Sequence, residues 1–434
     1  MEAMMEYPLL ATFDELLTYA DEKHCDAVLF RKEDNISFST FNAQVRQFAS
    51  SLMTKRELYV VNVKDCRLYA VAVMGIVLSN NIAVLKPGLA KGKMICDHDV
   101  VSSFDLPDWD EEFPTNPDDA CIIAPSSGTT GFAKGVMLKQ RSLLANAYGA
   151  VTMSDFPSCG MYFHILPFDH LFGLVGDLLC LLYCGATLDV HHQNNLFREL
   201  KNNEITHLNA PPMIVKGILA WRRKHPCSLK HILCGGAYLE PSVIKELKQL
   251  SISVTTAYGL TECSPTVSIN PDAWNKPYSV GKPFFGSTIR IEKDEILVRS
   301  DYLMLGYWQD EKSTAKTIVN GWLHTGDTGR IDEEGYLYIT GRKSDLIVFE
   351  DGTKLMPEKL ERECLQSERI SEIRILETDV NGRKLADVIV LAEGNTDAAI
   401  KEVFRTNGFI SRLHEIRYSD KPFKKTELGK LIRN

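Results

Sequence analysis

Apolar positions in this chain fall in short runs separated by polar turns, and their spacing alternates between a strand period and a helix period. The pattern predicts a strand over Leu58–Val63, an apolar helix over Leu68–Leu78 and a second strand over Ile82–Leu85. Cys121–Ala124 and Val136–Leu138 read as two strands joined by a tight polar loop. The alternation continues through a helix at Ser142–Ala150, a strand at Met161–Leu166, a long apolar helix at Leu171–Cys184 stopped by Gly185, and a strand at Ala186–Val190. Strand Thr206–Asn209, helix Pro212–Trp221, strand Lys230–Cys234, helix Pro241–Leu250 and strand Ser253–Ala257 follow, with proline opening both helices. Strands that alternate with helices of about ten residues imply an α/β architecture with layered, largely parallel sheets.

The pattern then changes. Ile289–Ile291 and Ile296–Val298 are short strands around the turn Lys293-Asp294, and a turn at Asp332–Gly335 precedes a strand at Tyr336–Thr340. Beyond Arg342 the chain reads as a compact α+β unit, with turns at Asp351-Gly352 and Asn381-Gly382 and helices at Pro357–Leu365 and Asp397–Arg405.

With 434 residues, 44% of them hydrophobic, the chain can bury a sizeable core and divide into two or three domains. A net charge of −8 argues against a nucleic-acid partner, which calls for a basic face. No apolar run reaches the ~18 residues of a membrane span; the best candidate, Leu171–Leu188, is interrupted by Asp177. Met1–Glu6 lacks the positive start and apolar stretch of a secretory signal. Eleven cysteines without a Cys-x-x-Cys pair read as reduced residues of a cytoplasmic protein, and His191, His192, His207 and His231 show no metal-ligand spacing with them.

The candidate chemistry starts in the loop Ser126-Ser127-Gly128-Thr129-Thr130-Gly131-Phe132-Ala133-Lys134-Gly135. Glycines let backbone approach a ligand, and backbone N–H groups, hydroxyls and one lysine suit a polyphosphate. Alone, the stretch is also compatible with a plain polar hairpin. A Walker-type loop is excluded, because Gly128 and Gly131 are too close together and Lys134 does not directly follow a glycine.

This loop resembles the phosphate loop of the adenylate-forming superfamily: acyl-CoA synthetases, peptide-synthetase adenylation domains and luciferases. Further segments follow in the family's order. Leu166–Gly173 is similar to its acid-pocket motif, Cys234-Gly235-Gly236-Ala237 to its adenine-flanking turn, and Tyr258-Gly259-Leu260-Thr261-Glu262 to its nucleotide and magnesium motif. Gly321–Asp327 resembles the ribose motif, Gly341–Ile347 the hinge, and Lys425–Arg433 the segment of the C-terminal catalytic lysine. The resemblance extends from about residue 55 to the end and implies a large N-terminal domain over 1–342 and a small mobile C-terminal cap over 343–434. The region between Pro87 and Ile122 is short for the family.

The reaction so implied begins with attack of a carboxylate on the α-phosphate of ATP, giving an acyl-adenylate and pyrophosphate; a thiol then displaces AMP. The resemblance assigns Ser126 to Gly131 and Lys134 to the phosphates, Thr261 to the α-phosphate and Glu262 to Mg2+. Gly235, Gly236, Ala237, Tyr258 and Gly259 would flank adenine, and Asp327, with Arg342, would bind ribose. Lys430 would sit between the carboxylate and the α-phosphate, within a tail, residues 411–434, that holds seven Lys/Arg against three Asp/Glu. Lys343 falls at the hinge. His170 is either a donor bordering the acid pocket or a core histidine. Segment Leu346–Glu358 and the acid-pocket stretch look closest to long-chain fatty acyl-CoA synthetases, which points to a fatty or other apolar carboxylic acid and to CoA as acceptor. A phosphopantetheine arm on an acyl carrier protein remains as an alternative acceptor. A nucleotide-binding relative without turnover is the reading of another class.

Overall fold

The computed structural model describes residues 7–52, 55–106, 115–126, 133–154, 156–157, 160–202, 204–367 and 369–424. They fall into two compact units. Unit one takes the described residues of Met1–Thr288 and Arg299–Leu323; unit two takes those of Ile289–Val298 and His324–Asn434. Residue 343, the expected boundary, thus lies inside unit two. Among the described residues no helix is long and apolar enough to cross a membrane.

Unit one holds two large sheets. In a nine-stranded sheet, Val28–Arg31, Thr187–Asp189, Met161–Phe163, His207–Ala210, His231–Cys234 and Ser253–Gly259 run parallel, each to the next. Antiparallel strands close both ends. The alternation read from the sequence is the reason these strands run parallel, since each crossover helix returns the chain to the end at which the preceding strand began. Helices Pro212–Arg222 and Pro241–Gln249 open on proline and lay Val215, Ile218, Leu219, Val243, Ile244 and Leu247 onto Leu208, Ile232 and Val254. Truncating one of these, such as fully buried Leu247, to Ala would cost about 2–5 kcal/mol.

The second sheet has six strands, ordered Gly306–Tyr307, Gly135–Lys139, Ala120–Pro125, Ile82–Val84, Leu58–Val61 and Lys93–Ile95. Helix Cys66–Leu78 is capped by Asp65, whose carboxylate accepts the N–H groups of Arg67 and Leu68, and ten consecutive residues from Tyr69 on are buried. A helix apolar on all sides belongs in an interior.

Two features went unassigned in the sequence. Helices Phe13–His24 and Phe38–Ser51 precede Leu58, the first with a capping box between Thr12 and Glu15. The expected helix Leu171–Cys184 is one continuous helix to Gly185, which ends it at φ 78°, yet Leu174–Leu179 is wound as a π-helix.

Unit two's first segment, Ile289–Val298, holds most of strands Ser287–Glu292 and Glu295–Ser300, which flank Lys293 and Asp294, both at positive φ as a tight hairpin turn requires. Trp322–Ile331 pairs antiparallel with Leu337–Arg342. Further on, Ile370–Val380 and Arg383–Ala392 form a hairpin across Asn381-Gly382, and Leu413–Tyr418 adds in parallel. Helices Pro357–Cys364 and Asp397–Thr406 cover this sheet through Leu360, Cys364, Ile400 and Phe404.

Candidate functional site

The polar loop is fixed at both ends. Ala120–Pro125 and Gly135–Lys139 pair antiparallel with Pro125 opposite Gly135, the Ser126 N–H donates to the Lys134 carbonyl (2.8 Å), and the Lys134 N–H donates to the Ser126 hydroxyl (2.9 Å). Gly135 has no room for a side chain, since a Cβ there would come 2.7 Å from Ile123 Cγ2. Ser127, Gly128, Thr129, Thr130 and Gly131 lie outside the described residues, as does Lys430.

The Lys134 ammonium is well placed and half-exposed. It sits 3.3 Å from Asp310 Oδ2, donates to the Ser313 hydroxyl, and lies over the Tyr307 ring at 4.7 Å from its centre. Asp310 caps the helix Glu311–Thr317 by accepting the Ser313 N–H at 3.0 Å. The hydrogen bonds from Ser313, helped by Lys134, hold the exposed Asp310 carboxyl down to about 2, so it is ionised at neutral pH.

The buried carboxylate of Glu262 accepts the Tyr307 hydroxyl on Oε1 at 2.8 Å. Burial, and then the Glu262 charge, push the Tyr307 hydroxyl well up, so it stays a donor. Backbone joins the same parts. The Met304 N–H donates to the Glu262 carbonyl (2.9 Å), and the Leu305 and Trp308 N–H groups donate to the carbonyls of Met137 (2.9 Å) and Gly135 (2.7 Å). Neighbouring Thr261 donates its hydroxyl to the Pro125 carbonyl at 3.0 Å, so the Tyr-Gly-Leu-Thr-Glu turn rests on the strand that enters the loop. Tyr258 is buried in strand Ser253–Gly259 opposite Ser268, and Gly259 is pressed so close to the Pro265 carbonyl (2.3 Å from a Cβ) that no side chain fits.

Gly235, Gly236 and Ala237 follow strand His231–Cys234, with Gly236 at φ 84°. A Cβ at Gly235 would lie 3.2 Å from Phe172 Cε1, and one at Gly176 would lie 3.4 Å from both Phe172 Cδ2 and Asn209 Nδ2. Phe172 therefore packs on two glycines at the start of the Leu171–Cys184 helix. His170 is the N-cap residue of that helix, and Phe168 beside it is buried with its ring 4.5 Å from His164. In the π-turn, buried Asp177 accepts Asn209 Nδ2 at 2.8 Å and lies 3.5 Å from His164 Nδ1. Burial pushes the Asp177 carboxyl up despite both neighbours.

Unit two carries its own charged group. Asp327 and Arg342 face each other across paired strands, joined at 2.9 Å. Glu295 accepts Lys343 Nζ (2.7 Å), His324 Nδ1 (3.2 Å) and the Gly326 N–H (3.1 Å). Burial raises the Glu295 carboxyl, but the bonds from Lys343, His324 and Gly326 outweigh it and leave the group below its ordinary value.

Among the described residues, two groups have the geometry of a three-ligand metal site: Asp189, His191 and Glu199, and Asp387, His414 and Glu415. In both groups the aspartate is already paired with an arginine, Asp189 with Arg31 (2.8 Å) and Asp387 with Arg417. Among the described residues no such group gathers at Glu262. A single carboxylate there fits magnesium, which keeps several waters and rides on phosphate oxygens.

Tyr307, Asp310 and Ser313 were not singled out in the sequence. The run Gly306-Tyr307-Trp308 before an Asp-capped helix was the available signal, with Gly306 at φ 148° against Thr314.

A family model described as "AMP-binding enzyme" matches residues 77–308. The chain is 30% identical to a 2-succinylbenzoate–CoA ligase of Bacillus velezensis over 64% of this chain and 59% of that protein. It is 32% identical to a long-chain-fatty-acid–CoA ligase of Escherichia coli O157:H7 over 59% of this chain and 50% of that one. The chain thus spans less than two thirds of these relatives. The fold matches O-succinylbenzoate coenzyme A synthetase from Bacillus subtilis, solved with ATP and a magnesium ion, at a TM-score of 0.82 and 20% identity over 96% of this chain and 98% of that one.

Proposed function

This chain belongs to the AMP-binding enzyme family, and from that premise we propose that it is an AMP-forming acid–CoA ligase. A carboxylate oxygen attacks the α-phosphorus of ATP, the bond to the β-phosphate breaks, and pyrophosphate leaves. The sulfur of CoA then attacks the acyl carbon, AMP leaves, and the thiol proton passes to solvent.

The observation that carries this reading is the meeting of Lys134 and Glu262 on the single side chain of Tyr307. A cation at the base of a glycine-rich loop and a carboxylate held beside it are the two charges that ATP with magnesium requires. Lys134 would hold the β- and γ-phosphates, with Ser126 at the loop's entry and Thr129 and Thr130 within it. Glu262 would hold magnesium, which supplies screening of the phosphate charge when bound. Thr261, near the same turn, would serve the α-phosphate by exchanging its bond to Pro125. Tyr258 and Gly235 to Ala237 would flank adenine, and Asp327 and Arg342 would hold ribose. Lys430 would bring positive charge to the attacking carboxylate, and Lys343 would be the pivot of a mobile cap.

For the acid we infer an apolar one, fatty or aromatic. The support is apolar: Phe168 and Leu171 are buried and Phe172 packs on Gly176 and Gly235, while the polar Asp169 in the same segment is paired with Lys86 at 3.6 Å. Of the two relatives named, the long-chain-fatty-acid ligase falls in that range, whereas 2-succinylbenzoate is an aromatic acid with a second carboxylate. The ten described cysteines are all free thiols, which supports a reducing, cytoplasmic setting.

Purified protein given ATP, magnesium and a panel of aliphatic and arylalkyl acids should release pyrophosphate with some of them. Adding CoA or a phosphopantetheine-loaded carrier protein and weighing the products identifies the acceptor. A thioester on the carrier alone would refute CoA, and no acid-dependent pyrophosphate would refute the reading.

A further inference from the structure

The ring of Tyr307 touches both charges of the proposed ATP site, with its hydroxyl on Glu262 and its face under Lys134. Lys134 and Glu262 form no ion pair with one another, although opposite charges in one place attract strongly where water is scarce. The ring satisfies each at a different point, so neither cancels the other. Lys134 has a second partner in Asp310, an ionised carboxylate in hydrogen-bonding range on the cap of the Glu311–Thr317 helix. The segment carrying these residues cannot drift, because Met304 is bonded to Glu262 and Leu305 and Trp308 to the strand leaving the loop.

We propose that Tyr307 and Asp310 are positioning residues that ready the two charges for nucleotide: Tyr307 aims the Glu262 carboxylate, and Asp310 holds Lys134 as a built-in anion that an incoming phosphate displaces. The inference rests on the proposed function, since it assumes that Lys134 meets phosphate and Glu262 meets magnesium. It gives the two residues effects of opposite sign. Asp310 competes with phosphate for one ammonium, so removing its charge favours ATP. Tyr307 serves the metal, so removing its hydroxyl weakens what magnesium adds and leaves metal-free ATP alone.

Two conservative variants separate these effects. Asp310→Asn keeps the helix cap, since asparagine caps as well as aspartate. Tyr307→Phe keeps the ring under Lys134. Calorimetric titration of ATP, with and without magnesium, reads binding without turnover. Asp310→Asn should tighten metal-free ATP binding about threefold, the range expected for one exposed ion pair. Tyr307→Phe should leave metal-free binding unchanged and reduce the tightening brought by magnesium about threefold or more. Unchanged or weaker metal-free binding in Asp310→Asn overturns the built-in anion. Equal weakening under both conditions in Tyr307→Phe makes the tyrosine a structural brace and overturns its role. Wild-type protein that binds ATP while both variants match it contradicts this inference alone; wild-type protein that binds no ATP under either condition contradicts the proposed function as well.

Discussion

Two charged groups, one in each unit, are partnered differently. In unit one, Lys134 and Glu262 stay unpaired with each other: a neutral tyrosine takes both, and the lysine remains half-exposed. In unit two, the charges close directly on one another, Asp327 with Arg342 and Glu295 with Lys343 and His324. On the proposed function, Lys134 and Glu262 would be kept available for phosphate and magnesium by partners that cost little to leave. Glu295, which takes bonds from Lys343, His324 and Gly326, is instead neutralised where it stands.

The comparison can be broken at several points. The largest effect is expected for Lys430, which lies outside the described residues. Lys430→Ala should lower acid-dependent pyrophosphate release ~10²–10³-fold, the usual cost of removing one transition-state donor, while thioester formation from supplied acyl-adenylate persists. Equal loss of both half-reactions, measured separately, contradicts the assignment. Next comes the proposed pivot. Arg342 already has extended backbone (φ −112°, ψ 140°), which the residue before a proline requires, and Lys343→Pro fixes φ at the proposed pivot. It should slow thioester formation several-fold more than adenylation, whereas Lys343→Ala, which loses only the bond to Glu295, should not separate the two steps. Equal slowing of both steps by proline removes the pivot.

The smallest effect sharpens the unit-two side of the comparison. Glu295 has a folded-state pKa below its ordinary 4.5, so its contribution to stability is fully present above that value and is lost as pH falls through the lowered one. Glu295→Gln should therefore lower stability by about 1 kcal/mol at pH 7, and the gap to wild type should close as the pH is taken below 4.5. Urea midpoints of both proteins across that range check the sign; a gap that widens in acid contradicts it.

Much of unit one was legible from periodicity, because a parallel sheet with crossover helices prints a strand, a helix and a strand in turn. The loop between Pro125 and Gly135 was legible for the same reason, as two apolar runs leave a hairpin little choice. Helix Leu171–Cys184 was legible as a length but not in its winding, since one extra residue per turn changes no apolar count, and it is that π-turn which carries buried Asp177. The helices before Leu58 were missed although Thr12 and Glu15 spell a capping box. Tyr307 was illegible for a plainer reason. Its contact with Glu262 spans 45 residues and joins two segments that only tertiary packing brings together. Glu295, whose partners are Lys343, His324 and Gly326, is a second case of that kind.

Acid-dependent exchange of labelled pyrophosphate into ATP tests the central claim most directly, because it requires reversible formation of an acyl-adenylate and nothing downstream of it. With magnesium and a suitable acid the protein should incorporate label, and Glu262→Gln, with its fold intact, should incorporate far less. Label that enters ATP without any acid, or never enters across a broad panel of aliphatic and aromatic acids, would contradict the account.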